Sequence, residues 1–314
     1  MAAYQGAPMG RAEWLMLLML SVLWGSSFLF YKLMVVDLPT FTIVLARVGP
    51  AAMILYGVLL LRRERMGRSL PWPGFLVLGF FNSAAPFCLF AWGETHITSG
   101  LASILNAMTP VFAVVASHWV SPPERLTWRR AAGVVCGLCG VVVLVGPDAL
   151  RGLNSANFMA DAACLLAALS YAFGGIYARR LRGVTPMQMA TGQLMGATAI
   201  MLPLATIFDR FWALPMPGAA TWGAMAGIVV LCTVLAYILY FRILAASGAT
   251  NVMLVTFLLP LNAVLLGNLV LGEPIRAASV AGMVLIGGGL AAIDGRLLRR
   301  RKKSPATLPV ATDA

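Results

Sequence analysis

Arg47 is the residue whose setting most strongly predicts chemistry, because it lies inside an apolar run instead of beside one. It stands about 6 Å from the middle of that run if the run is helical. A charge at such a depth in a membrane costs roughly 2.5–3.5 kcal/mol on insertion scales. Arg47 is therefore expected either to form an ion pair with Asp161 or Glu94, the acids nearest to it in depth, or to bind an anionic ligand.

Lys32 ends the run SVLWGSSFLFYK and lies about 10 Å from Gly25 along a helix. Its long side chain can reach the membrane surface by snorkelling, or it can attract a carboxylate at the mouth of a cavity. Both interpretations stay open. Gly25, Ser26 and Ser27 are small, and such residues let a second membrane helix approach closely. We expect a helix contact at this stretch.

Two acids and two prolines inside apolar runs could respond to a change of charge or shape. Asp161 and Glu94 are the acids that could take up a proton, so they are candidate coupling residues as well as candidate ion-pair partners. Pro110 and Pro260 each remove a backbone hydrogen bond from a predicted helix and permit a bend. These prolines are predicted to be either hinges or static kinks.

The elements that position these residues are predicted to be membrane helices. The chain is 60% hydrophobic and 11% charged, whereas soluble domains are about a quarter charged. Its apolar runs have the roughly 20 residues that a helix needs to cross the bilayer, and they do not alternate as barrel strands do. We predict an all-α membrane protein with ten transmembrane helices, at residues 14–36, 41–61, 74–94, 98–120, 128–146, 157–178, 187–208, 219–241, 250–271 and 277–295.

Basic residues are distributed unequally among the loops between these helices. With the N-terminus inside, the inner segments contain 18 Lys and Arg residues and the outer segments contain 3. This bias predicts that both termini are cytoplasmic. The basic cluster at 296–303 is expected to face anionic lipid headgroups; a nucleic-acid-binding arm is the alternative.

The chain repeats itself with an offset near 149 residues. Corresponding residues include Gly25 and Gly174, Glu124 and Glu273, Gly133 and Gly282, and Gly140 and Gly289. Because each copy holds five helices, an odd number, the second copy must insert upside down. Inverted repeats are a recurring plan of secondary transporters, although a duplication could also serve only to build a stable bundle. We predict a first repeat at 12–146, a second repeat at 157–296 and a basic cytoplasmic tail at 297–314.

Features that would support catalysis are missing from the sequence pattern. Cys136 and Cys139 form a C-x-x-C, but no second pair and no neighbouring histidine accompany them, so they are expected to be packing residues. His96 and His118 lie in different segments, and no acid pair or metal-ligand cluster is apparent. We expect no enzyme activity, no metal and no cofactor. A membrane enzyme and a non-transporting scaffold or receptor are the rival classes.

Short motifs recur in the same order in both copies. The first copy contains WGSSF with Lys32, SGLASIL-NAMTPVF, and Glu124 before GVVCGLCGVVVLVG; the second contains SGATNVML-VTFLLP, LGEP and GMVLIGGGLAAIDG. Together they resemble the drug/metabolite transporter superfamily, specifically its ten-helix members built from two EamA domains, over about residues 12–296. The resemblance implies alternating-access transport of small metabolites, often amino acids, across the bacterial inner membrane. Export is the expected direction, and other small drugs or metabolites are the alternative cargo.

The resemblance also implies that substrate binds between the two halves, near the first, third and fourth helices of each copy. The candidate substrate-binding residues are Trp24, Lys32, Arg47, Asn82, Trp92, Tyr237 and Tyr240. Arg47 has no counterpart in the second copy, so the halves are expected to contribute unequally. The expected partners are a small-molecule substrate and the lipid bilayer, without nucleic acid, and a proton is the candidate coupling ion. The glycine faces at 133–140 and 282–289 could pack within one chain or between two, so a monomer and a homodimer both stay open.

Overall fold

The computed structural model describes residues 10–120, 128–149 and 156–294, and its regular structure is helical. Seven helices in these ranges are long and apolar enough to cross a membrane, and three shorter apolar helices bring the total to ten. The predicted all-α membrane fold is confirmed. The predicted tail at 297–314 lies outside the described residues, and the predicted limits of the two repeats stay a prediction.

The first half contains helices α1 to α5. Helix α1 spans Arg11–Met34 and α2 spans Thr40–Leu61. Helix α3 spans Trp72–Gly93 and contains a π-helical turn at Phe80–Ala84. The bounds of the remaining two are Ser99–Asn106 and Thr109–Val120 for the two pieces of α4, and Trp128–Ala149 for α5.

The second half contains helices α6 to α10. Helix α6 spans Ala156–Ala178, and α7 spans Pro186–Asp209 and ends in a π-helical turn at Ala205–Asp209. Helix α8 spans Ala219–Ser247 and contains a π-helical turn at Val230–Leu235. The bounds of the last two are Ala249–Val252 and Val255–Leu271 for the two pieces of α9, and Ala277–Asp294 for α10.

Prolines account for part of the local shape. Pro86 cannot donate a hydrogen bond to the carbonyl of Asn82, and α3 forms its π-helical turn there. Pro110 lies in the first turn of the second piece of α4, where a missing N–H is tolerated. Pro260 instead lies inside the second piece of α9. The runs predicted as single helices at 98–120 and 250–271 are thus each divided in two.

Helices α5 and α10 show directly that the two halves are related by a twofold rotation. A Cβ atom on Gly133 would lie 2.6 Å from the carbonyl oxygen of Gly289, and one on Gly140 would lie 3.0 Å from that of Gly282. Between them the thiol of Cys136 donates to the carbonyl of Leu285 at 3.2 Å, across a separation of 149 residues. Positions 149 residues apart are equivalent in the two repeats. Cys136 therefore meets its own equivalent position, and the two glycine contacts are equivalent to each other. The predicted inverted five-helix repeats are confirmed, and their glycine faces pack within one chain.

The two halves also interleave through their other helices. Helix α1 packs against α8 and α9, α6 packs against α3 and α4, and α2 packs against α7. The described connections lie at two opposite faces of this bundle. We call the face that holds residues 35–39, 94–98, 210–218 and 272–276 the Asp37 face, and the face that holds 62–71 and 179–185 the Glu64 face.

Candidate functional site

Arg47 lies at the centre of the bundle with only 5% of its surface exposed. Its Nη1 donates to the hydroxyl of Tyr31 at 2.7 Å, and its Nε donates to Oγ1 of Thr233 at 3.2 Å. The guanidinium carbon stands 3.8 Å from the centre of the Phe87 ring. All of these groups are neutral. Arg47 is therefore surrounded by hydroxyls and an aromatic face, and neither Asp161 nor Glu94 is among the hydrogen-bond partners that the described residues give it.

Four membrane helices contribute to this arginine site. Arg47 comes from α2, Tyr31 from α1, Phe87 from α3 and Thr233 from α8. Thr233 lies in the π-helical turn of α8, and the corresponding turn of α3 precedes Phe87. Such turns often occur at functional sites because they redirect side chains that a regular helix would aim elsewhere.

An aromatic cluster covers the side of the arginine site that faces the second half. Phe87 contacts the rings of Tyr31 and Tyr171 at centroid distances of 6.4 and 6.5 Å. Tyr171, on α6, also stacks on Phe90 at 6.1 Å. Aromatic faces attract the guanidinium and could equally hold an apolar part of a solute. The arrangement suits a ligand that combines an anionic group with an apolar body.

A chain of polar side chains lies beside the arginine site and crosses between the halves. The amide of Asn82 donates to Oε1 of Gln193 at 3.3 Å, and Nε2 of Gln193 donates to the hydroxyl of Tyr237 at 2.7 Å. Asn82 also lies directly against Gly174 of α6, where an added Cβ would overlap its amide. The predicted residues Asn82 and Tyr237 therefore belong to one network, and Gln193 connects them.

Trp24 and Tyr240 form the far end of this network. Their rings are in contact at 5.6 Å, and Tyr240 meets Phe241, which stacks on Tyr237 at 6.2 Å. The small residues next to Trp24 lie against other helices: a Cβ on Gly25 would stand 3.0 Å from Cβ of Asn262 on α9.

Ser26 and Ser27 of the same stretch face α8 and the interior. Oγ of Ser26 stands 3.4 Å from Sγ of Cys232, and Ser27 is buried. The stretch of small residues thus lies between α8 and α9.

Lys32 binds backbone carbonyls at the Asp37 face. Its Nζ donates to the backbone carbonyls of Glu94 and Ile97 at 2.6 and 2.8 Å, just beyond the end of α3. A cation at a helix C-terminus satisfies carbonyls that have no helical partner and is favoured by the helix dipole. In this conformation Lys32 ties α1 to α3 at the Asp37 face.

Glu94 and Asp161 are fully buried near the same face. Both carboxylate oxygens of Glu94 are inaccessible, and the described residues offer them no hydrogen-bond donor. The residue before Glu94 packs against α6, because a Cβ on Gly93 would lie 2.7 Å from Sγ of Cys164. Glu94 and Asp161 therefore flank one contact between α3 and α6, and the charge of Lys32 lies on the Glu94 side.

Trp92 is set apart from the other candidate residues. It is 38% exposed and contacts His96 at a centroid distance of 5.0 Å. The structure therefore brings Trp24, Asn82, Tyr237 and Tyr240 into one network next to Arg47, with Trp92 outside it.

Several residues of the site could not be singled out from the sequence. Tyr31, Phe87 and Thr233 contact Arg47, yet each lies in an apolar run where aromatic and hydroxyl residues are ordinary. The one available signal was Pro86, which predicts an irregular turn next to Phe87. No group of three or more potential metal ligands occurs among the described residues.

Comparison with known proteins gives the same architecture. The sequence profile of the EamA-like transporter family matches this chain twice, at residues 12–146 and 158–293. A solved crystal structure superimposes with a TM-score of 0.64 at 21% identity, covering 92% of this chain and 99% of the other.

Three relatives cover most of the chain. Protein PecM of Dickeya dadantii is 29% identical over 89% of this chain and 92% of its own length. A probable terminal-alkyne amino-acid exporter of Streptantibioticus cattleyicolor is 27% identical over 94% of this chain and 97% of its own length. An uncharacterized inner membrane transporter of Escherichia coli, YedA, is 26% identical over 81% of each chain.

Proposed function

The chain belongs to the EamA-like transporter family, and from this premise we propose that it exports small carboxylate-bearing metabolites, amino acids above all, by alternating access. Transport as such, the multi-pass placement in an inner membrane and the absence of enzymatic activity follow from the family and its relatives. The substrate class and the direction are the proposal. One relative is named as an amino-acid exporter, which supports both.

The observation that carries the substrate proposal is the neutral environment of Arg47. A buried guanidinium whose bonded neighbours are neutral keeps its full capacity for charge-assisted, bidentate recognition of an anion. Its present contacts, the hydroxyls of Tyr31 and Thr233, are weaker acceptors than a carboxylate. A substrate carboxylate would displace them, and the ring of Phe87 would contact the apolar part of the substrate.

The neighbouring network is proposed to complete the binding site. Asn82 and Tyr237 offer an amide and a hydroxyl that can bind an ammonium or other polar group, whereas Trp24 and Tyr240 offer aromatic faces. Lys32 is proposed to help attract the substrate when its bonds to α3 open, and Trp92 is proposed to act only at the entrance. Pro110 and Pro260 are proposed to permit the bending of α4 and α9.

The orientation is proposed from charge. Arg62, Arg63, Arg65 and Arg68 are exposed or half-buried at the Glu64 face, as are Arg179, Arg180 and Arg182, whereas Arg210 and Arg276 are the described arginines of the Asp37 face. Basic loops remain in the cytoplasm, so the Glu64 face and both termini are proposed to be cytoplasmic. Glu94 and Asp161 are then proposed to take up protons near the outer face.

Counterflow in proteoliposomes tests the substrate proposal. Vesicles loaded with one unlabelled amino acid should accumulate the same labelled amino acid, and a panel identifies which one. The amine that lacks only the carboxylate should fail to compete. The variant Arg47→Met should lose counterflow, whereas Arg242→Met, at an exposed position on α8, should retain it. Equal competition by the amino acid and its amine would refute recognition of the carboxylate by Arg47.

A further inference from the structure

Three carboxylates at the Asp37 face each bind the N-terminus of a helix in the opposite half. Asp37, of the first half, accepts from the backbone N–H of Gly218 at 2.9 Å and from the hydroxyl of Thr221 at 2.6 Å. Both donors belong to the start of α8. Asp209, of the second half, accepts from the N–H and the hydroxyl of Thr42 at 2.7 and 2.9 Å, at the start of α2.

The third carboxylate makes the largest number of these contacts. Glu273, of the second half, accepts from the N–H and the hydroxyl of Ser99 at 2.9 and 2.8 Å, and from the N–H of Gly100 at 3.3 Å. These groups begin α4 in the first half. We call Asp37, Asp209 and Glu273 the inter-half caps. Together they make seven hydrogen bonds from one half to the other.

Two of the three helices that receive these carboxylates have no side-chain cap of their own, whereas α4 also has Thr98, whose Oγ1 accepts from the N–H of Leu101 at 3.3 Å. The N-cap of α2 is Pro39 and that of α8 is Gly218, and neither supplies a side-chain hydrogen bond. The first N–H groups of a helix otherwise lack partners, and an anion there is stabilised by the helix dipole. Caps are ordinarily provided by a neighbour in sequence. Here the capping carboxylates are separated in sequence from the groups they bind by 181, 167 and 174 residues.

The opposite face is joined differently. At the Glu64 face, the hydroxyl of Thr185 donates to Glu64 at 2.6 Å, and the side chain of Gln188 donates to the carbonyl of Arg65 at 3.1 Å. Thr185 already caps its own helix, α7, through a capping box. Among these contacts, the Glu64 face therefore has no carboxylate that replaces a missing cap.

We propose that the inter-half caps are the gate residues of this transporter, which hold its Asp37 face closed and must separate for that face to open. The proposal rests on the proposed alternating-access function. In an alternating-access cycle the halves rock about the central site, so contacts that join them at one face must break while that face is open. Each cap is a charge-assisted bond that fails once the halves move apart, because the donor N–H groups are fixed in a helix.

The test measures the distance between the halves without any substrate. Spin labels are placed at Val36 and Met216, which are 79% and 84% exposed beside the caps, in a chain whose five cysteines are replaced. Asp37→Asn, Asp209→Asn and Glu273→Gln, combined in one variant, should add a longer-distance population several times larger than in the parent. The matched control Glu64→Gln, which weakens the opposite face, should not add it.

Two further measurements complete the experiment. A label pair at Arg62 and Arg182 on the Glu64 face should keep its distance or shorten, and lengthening at both faces would overturn the proposal because the bundle would then loosen instead of rocking. An unchanged distance between Val36 and Met216 in a triple variant that elutes as a single folded species would overturn it as well. If the triple variant does not fold, the three single variants are measured, and an unchanged distance in all of them would also overturn the proposal. Since no substrate is present, failure here is independent of the counterflow result.

Discussion

Two adjacent glycines of α6 should respond in opposite directions to the same substitution. A Cβ atom on Gly174 would overlap Oδ1 of Asn82 and lie 3.0 Å from its Cγ and 3.4 Å from its backbone nitrogen. A Cβ atom on Gly175 would have no other atom within 4 Å. Gly174→Ala must therefore displace Asn82 or separate α6 from α3, whereas Gly175→Ala only adds a methyl group at an open position.

The size of the effect follows from three contributions. Overpacking a close contact costs about 1–3 kcal/mol, and loss of the hydrogen bond from Asn82 to Gln193 adds about 1 kcal/mol. Replacing glycine by alanine within a helix returns about 0.8–1.0 kcal/mol. We expect Gly174→Ala to lower the free energy of unfolding by about 1–3 kcal/mol, and Gly175→Ala to raise it by about 1 kcal/mol.

The assay is thermal unfolding of both variants in the same detergent, together with counterflow. Gly174→Ala should lower the apparent Tm and reduce counterflow, because the connection from Asn82 through Gln193 to Tyr237 is disturbed. Gly175→Ala should leave counterflow unchanged. Equal shifts of the apparent Tm in the two variants would refute the close contact between α6 and α3.

Two further predictions concern the contact of α1 with α9 and the charge of one cap. Gly25→Leu should abolish counterflow while membrane insertion is retained, because its side chain would meet Asn262 and the carbonyl of Leu259 at about 3 Å. The control is Gly223→Leu, at a position that faces open space. Normal flux in Gly25→Leu would contradict the contact between α1 and α9. Hydrogen bonds from Thr221, and secondarily from Gly218, lower the pKa of Asp37 below its ordinary value of 3.8. The ionised carboxylate therefore stabilises the closed Asp37 face fully above pH 3.8, and this stabilisation is lost as the pH falls through the lowered pKa. The distance from Val36 to Met216 is measured in the parent and in Asp37→Asn. The difference between the two should be constant from pH about 8 to about 5, and a difference that shrinks within this range would contradict the lowered pKa of Asp37.

The sequence predicts the ten helices and their inversion because both depend on features that repeat. Apolar length alone identifies a membrane span, since the bilayer fixes the number of residues. The offset near 149 identifies equivalent positions, and the structure brings one such pair, Cys136 and Leu285, into contact. The positions of the breaks in α4 and α9 were not predicted, because a proline alone does not fix where a helix stops.

The partners of the charged residues could not be predicted in the same way. The sequence predicts that Arg47 needs a partner, but its actual contacts come from α1, α3 and α8 and are neutral. The sequence leaves open whether Lys32 reaches the membrane surface or a substrate, and it does not predict that backbone carbonyls at the end of α3 bind it. Backbone groups carry no sequence signature. A capping partner far away in the chain is therefore invisible until helices are placed in space.

The energetics of the inter-half caps restrict the transport cycle. Hydrogen bonds to a charged group are stronger than those between neutral groups, and seven such bonds join the halves at the Asp37 face. Conformations that interconvert in a working cycle differ by only a few kcal/mol, so opening this face cannot simply forfeit all seven. Water must replace part of them, and new contacts at the Glu64 face must replace the rest. Because the halves are inverted copies, the equivalent helices of each half can form those contacts at the Glu64 face. Closing one face therefore stabilises the opening of the other.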